Sequence, residues 1–144
     1  MAAEQWALLG VIVGGVLGGL AQIVARSLSE RQRHQQWLNE QRMGIYQRYL
    51  VEWRSRYEGL WTHHFDGYYQ GPDPDEDYLS PLFDLTSDME LFGSKKAVKA
   101  AEKARGALVE YWNASTKQAK EKQDAAKAAF DGYLDQIRAD LRVR

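Results

Sequence analysis

The chain lacks cysteine, and this absence excludes disulfide bonds and thiolate metal sites. It also has only three prolines in 144 residues, while Ala, Arg, Lys, Gln and Glu are frequent, a composition that favours helices. No stretch alternates apolar and polar side chains with a period of two, so we expect no β-sheet. Together these absences predict an all-α fold.

The sequence also lacks the common catalytic motifs. It contains no phosphate-binding loop, no dinucleotide-binding glycine motif, no H-E-x-x-H and no G-x-S-x-G. Its three histidines are His34, His63 and His64, and the last two would point about 100° apart on a helix, which disfavours chelation of one ion. We therefore expect a protein that is not an enzyme, with no catalytic residue, no metal, no cofactor and no small-molecule substrate.

Charge is nearly balanced overall, at −1, but it is segregated along the chain. Residues 26–58 and 94–144 carry an excess of basic side chains, whereas residues 66–90 contain acids and no Lys or Arg. Neither basic segment is basic enough to indicate nucleic-acid binding, and we expect none.

Long apolar runs are absent except for one, from residue 6 to residue 25. This stretch carries no charge, and Gln22 is its one polar side chain. As a helix it would span about 30 Å, the thickness of the bilayer hydrocarbon. The sequence therefore predicts a transmembrane helix within residues 1–25. A cleaved signal peptide and a buried soluble helix are the alternatives, and the missing Lys or Arg in residues 1–5 disfavours the signal peptide.

The predicted membrane helix has one face that is almost free of large side chains. On a helical wheel, glycines at four-residue spacing run down this face, and the aliphatic side chains collect on the opposite side. In lipid, helices associate through close backbone approach at small residues. We predict a helix–helix contact face, for another copy or for a different membrane protein, consisting of Gly10, Gly14, Gly15, Gly18, Gly19 and Gln22.

Basic residues flank only the C-terminal side of this segment. Arg26, Arg31 and Arg33 follow it, and no Lys or Arg precedes it. The positive-inside rule then places residues 26–144 in the cytoplasm and the N-terminus outside, with the cell (inner) membrane as the location. The same arginines are positioned to bind anionic headgroups of membrane lipid.

The remainder of the chain reads as four amphipathic helices. The first runs from Ser27 to about His64, with a polar stalk at residues 26–36. An acidic loop follows at residues 70–77. A second helix starts after a Ser80 cap and stops at Gly93, and a third follows a cap at Ser94. We predict an antiparallel bundle of about four helices in residues 26–144, the first long and stalk-like.

The apolar positions of these helices predict the bundle core. The first helix carries an apolar stripe of Leu38, Ile45, Tyr46, Tyr49, Leu50, Trp53, Tyr57, Leu60, Trp61 and His64, into which Arg42 intrudes. The third helix presents Ala97, Ala101, Ala104, Leu108 and Trp112, and the last presents Ala119, Ala126, Phe130, Tyr133, Leu134, Ile137 and Leu141. Tyr68, Tyr69 and Tyr78 flank the acidic loop and fit no core position, so we predict a partner surface there.

Three stretches, WLNEQRMGIYQRYLVEW, DMELFGSKKAVKAAEKA and FDGYLDQIRADL, together resemble a loose group of small actinobacterial-type single-pass membrane proteins. Members of that group have an N-terminal membrane helix, a helical cytoplasmic domain and no assigned activity. The resemblance implies an architecture and supplies no site residue.

We therefore expect a membrane-anchored helical bundle that acts by binding and assembly, as a scaffold, regulator or sensor subunit. The alternative is a small oligomeric pore-forming or membrane-active effector, of the toxin or phage-defence type. The uncharged span disfavours this alternative, because nothing polar beyond Gln22 is available to line a conducting path.

Overall fold

The computed structural model describes residues 2–65 and 77–141, with side chains described from Gly19 onward. These ranges form four helices and no strand: α1 (Ala2–Phe65), α2 (Ser80–Phe92), α3 (Lys95–Trp112) and α4 (Ala119–Leu141). The predicted all-α class and the four helices are confirmed. The chain divides into two compact units, the first ending at Leu38 and the second beginning at Asn39.

The predicted membrane helix is not supported by the described part of the chain. Within it, no helix is both long enough and apolar enough to cross a bilayer. Only seven residues of the apolar run, from Gly19 to Ala25, have described side chains before Arg26 interrupts it. Most of the predicted segment, residues 1–18, lies outside the residues whose side chains are described.

The second unit is an up-down-up-down bundle, as the pairing of residues along it demonstrates. Trp53 of α1 stacks on Phe130, with ring centroids 4.1 Å apart, and Tyr46, two turns earlier, donates a hydrogen bond to Asp140, so α4 runs antiparallel to α1. Tyr46 and Trp53 meet α3 in the opposite order, near Ser94 and Ala104, so α3 runs parallel to α1.

The short helix α2 completes the bundle. Near its end, the Phe92 carbonyl accepts a hydrogen bond of 2.6 Å from Arg42 Nε, and just before its start the Tyr78 hydroxyl donates to the Arg56 carbonyl. Helix α2 therefore runs antiparallel to α1. The first of these bonds also explains why an arginine lies beside the apolar stripe of α1, because Arg42 serves as a donor to the C-terminal end of α2.

Small side chains on α3 allow α1 to approach closely. Ala97, Ala101 and Ala104 are fully buried. Over this face, the Tyr49 hydroxyl donates to the Ala101 carbonyl at 2.5 Å and Trp53 Nε1 donates to the Ala104 carbonyl at 3.0 Å. The large aromatic side chains of α1 thus fill the core and also find acceptors for their polar atoms.

The turn between α2 and α3 agrees with the prediction. Helix α2 ends at Gly93, where an added Cβ would lie 2.7 Å from the Met89 carbonyl oxygen. The φ of Gly93 is −77°, which any residue can adopt. The close approach of the Met89 carbonyl, and not the backbone angle, therefore favours glycine at this position. Ser94 caps α3, and its hydroxyl accepts a hydrogen bond from the Ala97 amide at 3.0 Å.

Two sequence assignments are wrong, those of Ser80 and Trp61, and that of Trp112 is only partly right. Ser80 is the first helical residue of α2, and Leu79 takes the cap position. In the turn that precedes the helix, the Ser80 amide donates a hydrogen bond to the Asp77 carbonyl. In α3, Tyr111 is buried and the predicted Trp112 is only partly buried. In α1, Leu60 is buried, whereas its neighbour Trp61 is 45% exposed.

Candidate interaction surfaces

The predicted glycine face is described only at its C-terminal end. Gly10, Gly14, Gly15 and Gly18 lie outside the residues whose side chains are described. Gly19 and Gln22 are exposed on α1, and a Cβ added at Gly19 would meet nothing within 4 Å in the part of the chain that the structure describes. This end of the face is therefore open to an approaching helix, and the contact itself stays a prediction.

The three arginines that follow the predicted span are all exposed. Arg26, Arg31 and Arg33 lie in the part of α1 where every described residue from Gly19 to Trp37 is exposed. Their side chains make no ion pair with any residue that the structure describes. They are available to anionic groups outside the chain, as the prediction of headgroup binding requires.

Of the three tyrosines predicted as a partner surface, Tyr68 and Tyr69 lie outside the described residues. Tyr78 is partly buried, and its hydroxyl donates to the Arg56 carbonyl at 3.1 Å. The Arg56 guanidinium lies over the same ring, 5.0 Å from its centroid. A Cβ at Gly59 would overlap with the Tyr78 hydroxyl, so this glycine provides the notch that seats the ring.

A groove between α1 and α2 was not predicted from the sequence. It has a volume of about 480 Å³ and a mainly apolar lining, to which Gly44 and Val51 contribute from α1 and Pro81 and Leu85 from α2. Val51 is 62% exposed there. The sequence signals were a glycine inside a long helix and an apolar residue off the main stripe, but only the nearness of α2 makes them one surface.

The rim of this groove carries both signs of charge. Arg48 and Glu52 line it from α1 and Asp84 lines it from α2. Glu52 already forms an ion pair of 3.1 Å with Arg56. Arg48 and Asp84 are exposed and form no ion pair with another described residue.

A polar cluster joins three helices at one end of the bundle. One Asp140 carboxylate oxygen accepts hydrogen bonds from the Tyr46 hydroxyl at 2.8 Å and from the Ser94 hydroxyl, and the other accepts from Gln136 at 3.0 Å. The Ser94 hydroxyl also caps α3 by accepting from Ala97. Because each hydroxyl is engaged within the fold, the cluster reads as a structural joint and not as a nucleophile with its base.

His64 is packed in the way the sequence suggested. Its ring stacks on Tyr111, with centroids 5.1 Å apart, and its Nε2 lies 3.0 Å from the Tyr111 carbonyl oxygen. Because a carbonyl only accepts, this nitrogen carries the proton of the bond. Within the described ranges, no three His, Asp or Glu side chains are grouped as ligands of a metal ion.

The described core includes four buried tyrosines: Tyr46, Tyr49, Tyr111 and Tyr133. Burial raises the pKa of Tyr49, Tyr111 and Tyr133 above the ordinary tyrosine value, because the ionised phenolate would lose its hydration. The Tyr133 hydroxyl donates to the Tyr46 carbonyl at 3.1 Å. The buried Tyr111 hydroxyl has no hydrogen-bond partner among the described residues.

No protein-family model matches the chain, and no curated protein or solved structure matches it. The resemblance to small single-pass membrane proteins stays a prediction.

Proposed function

We propose that this chain is a single-pass membrane protein whose helical bundle acts by binding and assembly. The observation that carries the proposal is a set of apolar side chains on α1, each more than half exposed: Leu20, Ile23, Val24 and Leu28. Exposed apolar surface of this kind is typical of contact with lipid or with another protein. In the sequence it continues an uncharged stretch that begins at residue 6.

The bundle supports a binding role. Its buried aromatic side chains and the hydroxyls of Tyr46, Ser94 and Tyr133 make contacts within the fold. Its open features lie at the surface and include the groove between α1 and α2. Scaffold, regulator and sensor subunit are the classes of function that such surfaces serve.

Membrane attachment is tested by comparing the full chain with a fragment of residues 27–144. We expect the full chain to stay in the membrane pellet after a high-pH carbonate wash and to be released only by detergent. The fragment should be recovered without detergent and should have a helical circular dichroism spectrum. A full chain recovered in the supernatant would contradict the membrane anchor.

Assembly through the glycine face is tested in detergent by the change Gly14→Leu with Gly18→Leu. The large side chains would hold two helix backbones apart, so the mass measured by light scattering should fall below that of the unaltered chain. The matched control is Ile12→Leu with Val16→Leu, which alters the opposite aliphatic face of the same helix and should leave the mass unchanged. Equal masses for the two variants would refute the glycine face.

Orientation and mechanism are tested separately. A reporter fused after residue 144 should be active in the cytoplasm if Arg26, Arg31 and Arg33 set the topology. Release of a trapped dye from vesicles containing the full chain would favour the pore-forming alternative over a binding role.

A further inference from the structure

We propose that the groove between α1 and α2 is a docking site for a second copy of this chain. In the contact, related by a twofold axis, Arg48 of each copy pairs with Asp84 of the other. This contact lies entirely within the bundle, so it is distinct from the glycine face and does not depend on membrane attachment.

The floor of the groove contains a glycine, Gly44, whose missing side chain is not needed for packing within the fold. Gly44 lies inside α1, where glycine is less favourable than alanine, and a Cβ added there would meet no described atom within 4 Å. Beside it, Val51 is exposed, and Pro81 and Leu85 continue the apolar lining from α2. A backbone without a side chain next to apolar residues fits the close approach of another helix.

The charges on the rim indicate which partner fits. Arg48 stands on the α1 side and Asp84 on the α2 side, and each is exposed without an ion pair among the described residues. A partner must present the opposite charges in the reverse order. A second copy rotated by 180° does so at a matching spacing, because in an isologous contact every residue pair occurs twice.

The absence of cysteine allows a direct test on the full chain. Val51→Cys places a single thiol in the groove, and Ala128→Cys places one on an exposed part of α4 as the matched control. In mild detergent at micromolar concentration, a short bis-maleimide should link the first variant into covalent dimers. The control variant should give far less covalent dimer, because a thiol outside the contact meets a second thiol only by random collision.

A charge exchange then tests the pairing in the Val51→Cys background. Arg48→Asp or Asp84→Arg alone should lower the dimer yield by about tenfold or more, since each change places like charges together twice. Both changes in one chain should restore the yield, because the pair is reversed and not removed. Arg54→Asp makes the same charge change at an exposed position outside the groove and should have little effect.

Three crosslinking results would contradict a groove contact between two copies of the chain. Equal crosslinking at positions 51 and 128, a double variant that stays as weak as the single variants, or a Val51→Cys adduct with a different protein would each overturn the proposal. Helical melting curves for every variant separate a loss of contact from a loss of fold. Repeating the crosslinking with Gly14→Leu and Gly18→Leu present distinguishes this contact from assembly through the glycine face.

Discussion

At the residue scale, the indole of Trp53 combines three interactions in one side chain. It is 2% exposed, it stacks on Phe130 and Tyr57, and its Nε1 donates to the Ala104 carbonyl. Burial of a large aromatic side chain with its polar atom satisfied is among the strongest single contributions to a small core.

We therefore expect Trp53→Ala to lower the free energy of unfolding by about 3–5 kcal/mol, through lost burial and the cavity left behind. Trp61→Ala is the matched control, since Trp61 lies two turns further along the same helix and is 45% exposed. Urea denaturation of both variants checks this. Similar midpoints for the two would show that the bundle does not depend on the Trp53 site.

Two buried tyrosines make opposite predictions for the same substitution. Tyr111→Phe removes a buried hydroxyl that has no hydrogen-bond partner among the described residues, so stability should stay level or rise. Tyr133→Phe removes the hydrogen bond to the Tyr46 carbonyl and should cost about 0.5–1.5 kcal/mol. Thermal unfolding of the two variants side by side gives the comparison, and a larger loss for Tyr111→Phe would mean that its hydroxyl is in fact bonded.

At the scale of the element, Gly59 on α1 makes room for the Tyr78 side chain, which lies just before α2. In a helix interior, replacing glycine by alanine normally stabilises by about 1 kcal/mol. At Gly59 the new methyl group would overlap with the Tyr78 hydroxyl, so we expect Gly59→Ala to destabilise the bundle. Gly132→Ala is the control, because a Cβ there would meet nothing within 4 Å, and it should stabilise.

A second substitution makes this test specific. Tyr78→Phe removes the overlapping hydroxyl, so adding it to Gly59→Ala should recover part of the lost stability. If the changes in the free energy of unfolding caused by Gly59→Ala and Tyr78→Phe simply add in denaturant titrations, Gly59 does not act by making room for the Tyr78 hydroxyl.

The helices were predictable from the sequence to the extent that their signals are local. Gly93 and Ser94 stop one helix and start the next through bonds to their own neighbours, and both were identified. Leu60 and Trp61, like Tyr111 and Trp112, are adjacent residues near the edge of an apolar stripe. A helical wheel cannot decide between such neighbours, because the packing of another helix determines which one is buried.

The candidate surfaces were less predictable than the helices. The groove depends on Val51 and Leu85, which are distant in sequence and are brought together only by the antiparallel pairing of α1 with α2. In the sequence, Arg42 interrupts an apolar stripe. In the fold, it donates a hydrogen bond to the Phe92 carbonyl. Residues that serve a neighbouring element in this way carry no periodic signal of their own.

At the scale of the whole molecule, the tyrosine-rich core makes stability depend on alkaline pH. Burial raises the pKa of Tyr49, Tyr111 and Tyr133, whereas in the unfolded chain these groups ionise near pH 10. Unfolding therefore releases protons above that pH. The stabilisation is complete below pH 10 and is lost as the pH rises beyond it.

Ionisation of each of these three tyrosines in the unfolded chain should lower the free energy of unfolding by about 1.4 kcal/mol per pH unit above 10. Together they should lower it by about 4 kcal/mol at pH 11. Urea titrations between pH 8 and pH 11, followed by tyrosinate absorbance, measure this. Tyr111→Phe should reduce the slope by about a third. A stability that is flat to pH 11 would mean that these side chains ionise without unfolding.

The joint at Asp140 also affects how the bundle can form during synthesis. Its partner Tyr46 precedes it by 94 residues. At about 5–20 residues per second, a ribosome needs about 5–20 s to deliver the carboxylate after the hydroxyl has been made. Throughout that interval no α4 is available to cover the apolar stripe of α1, so this stripe stays exposed to chaperones, proteases and aggregation until α4 has been made.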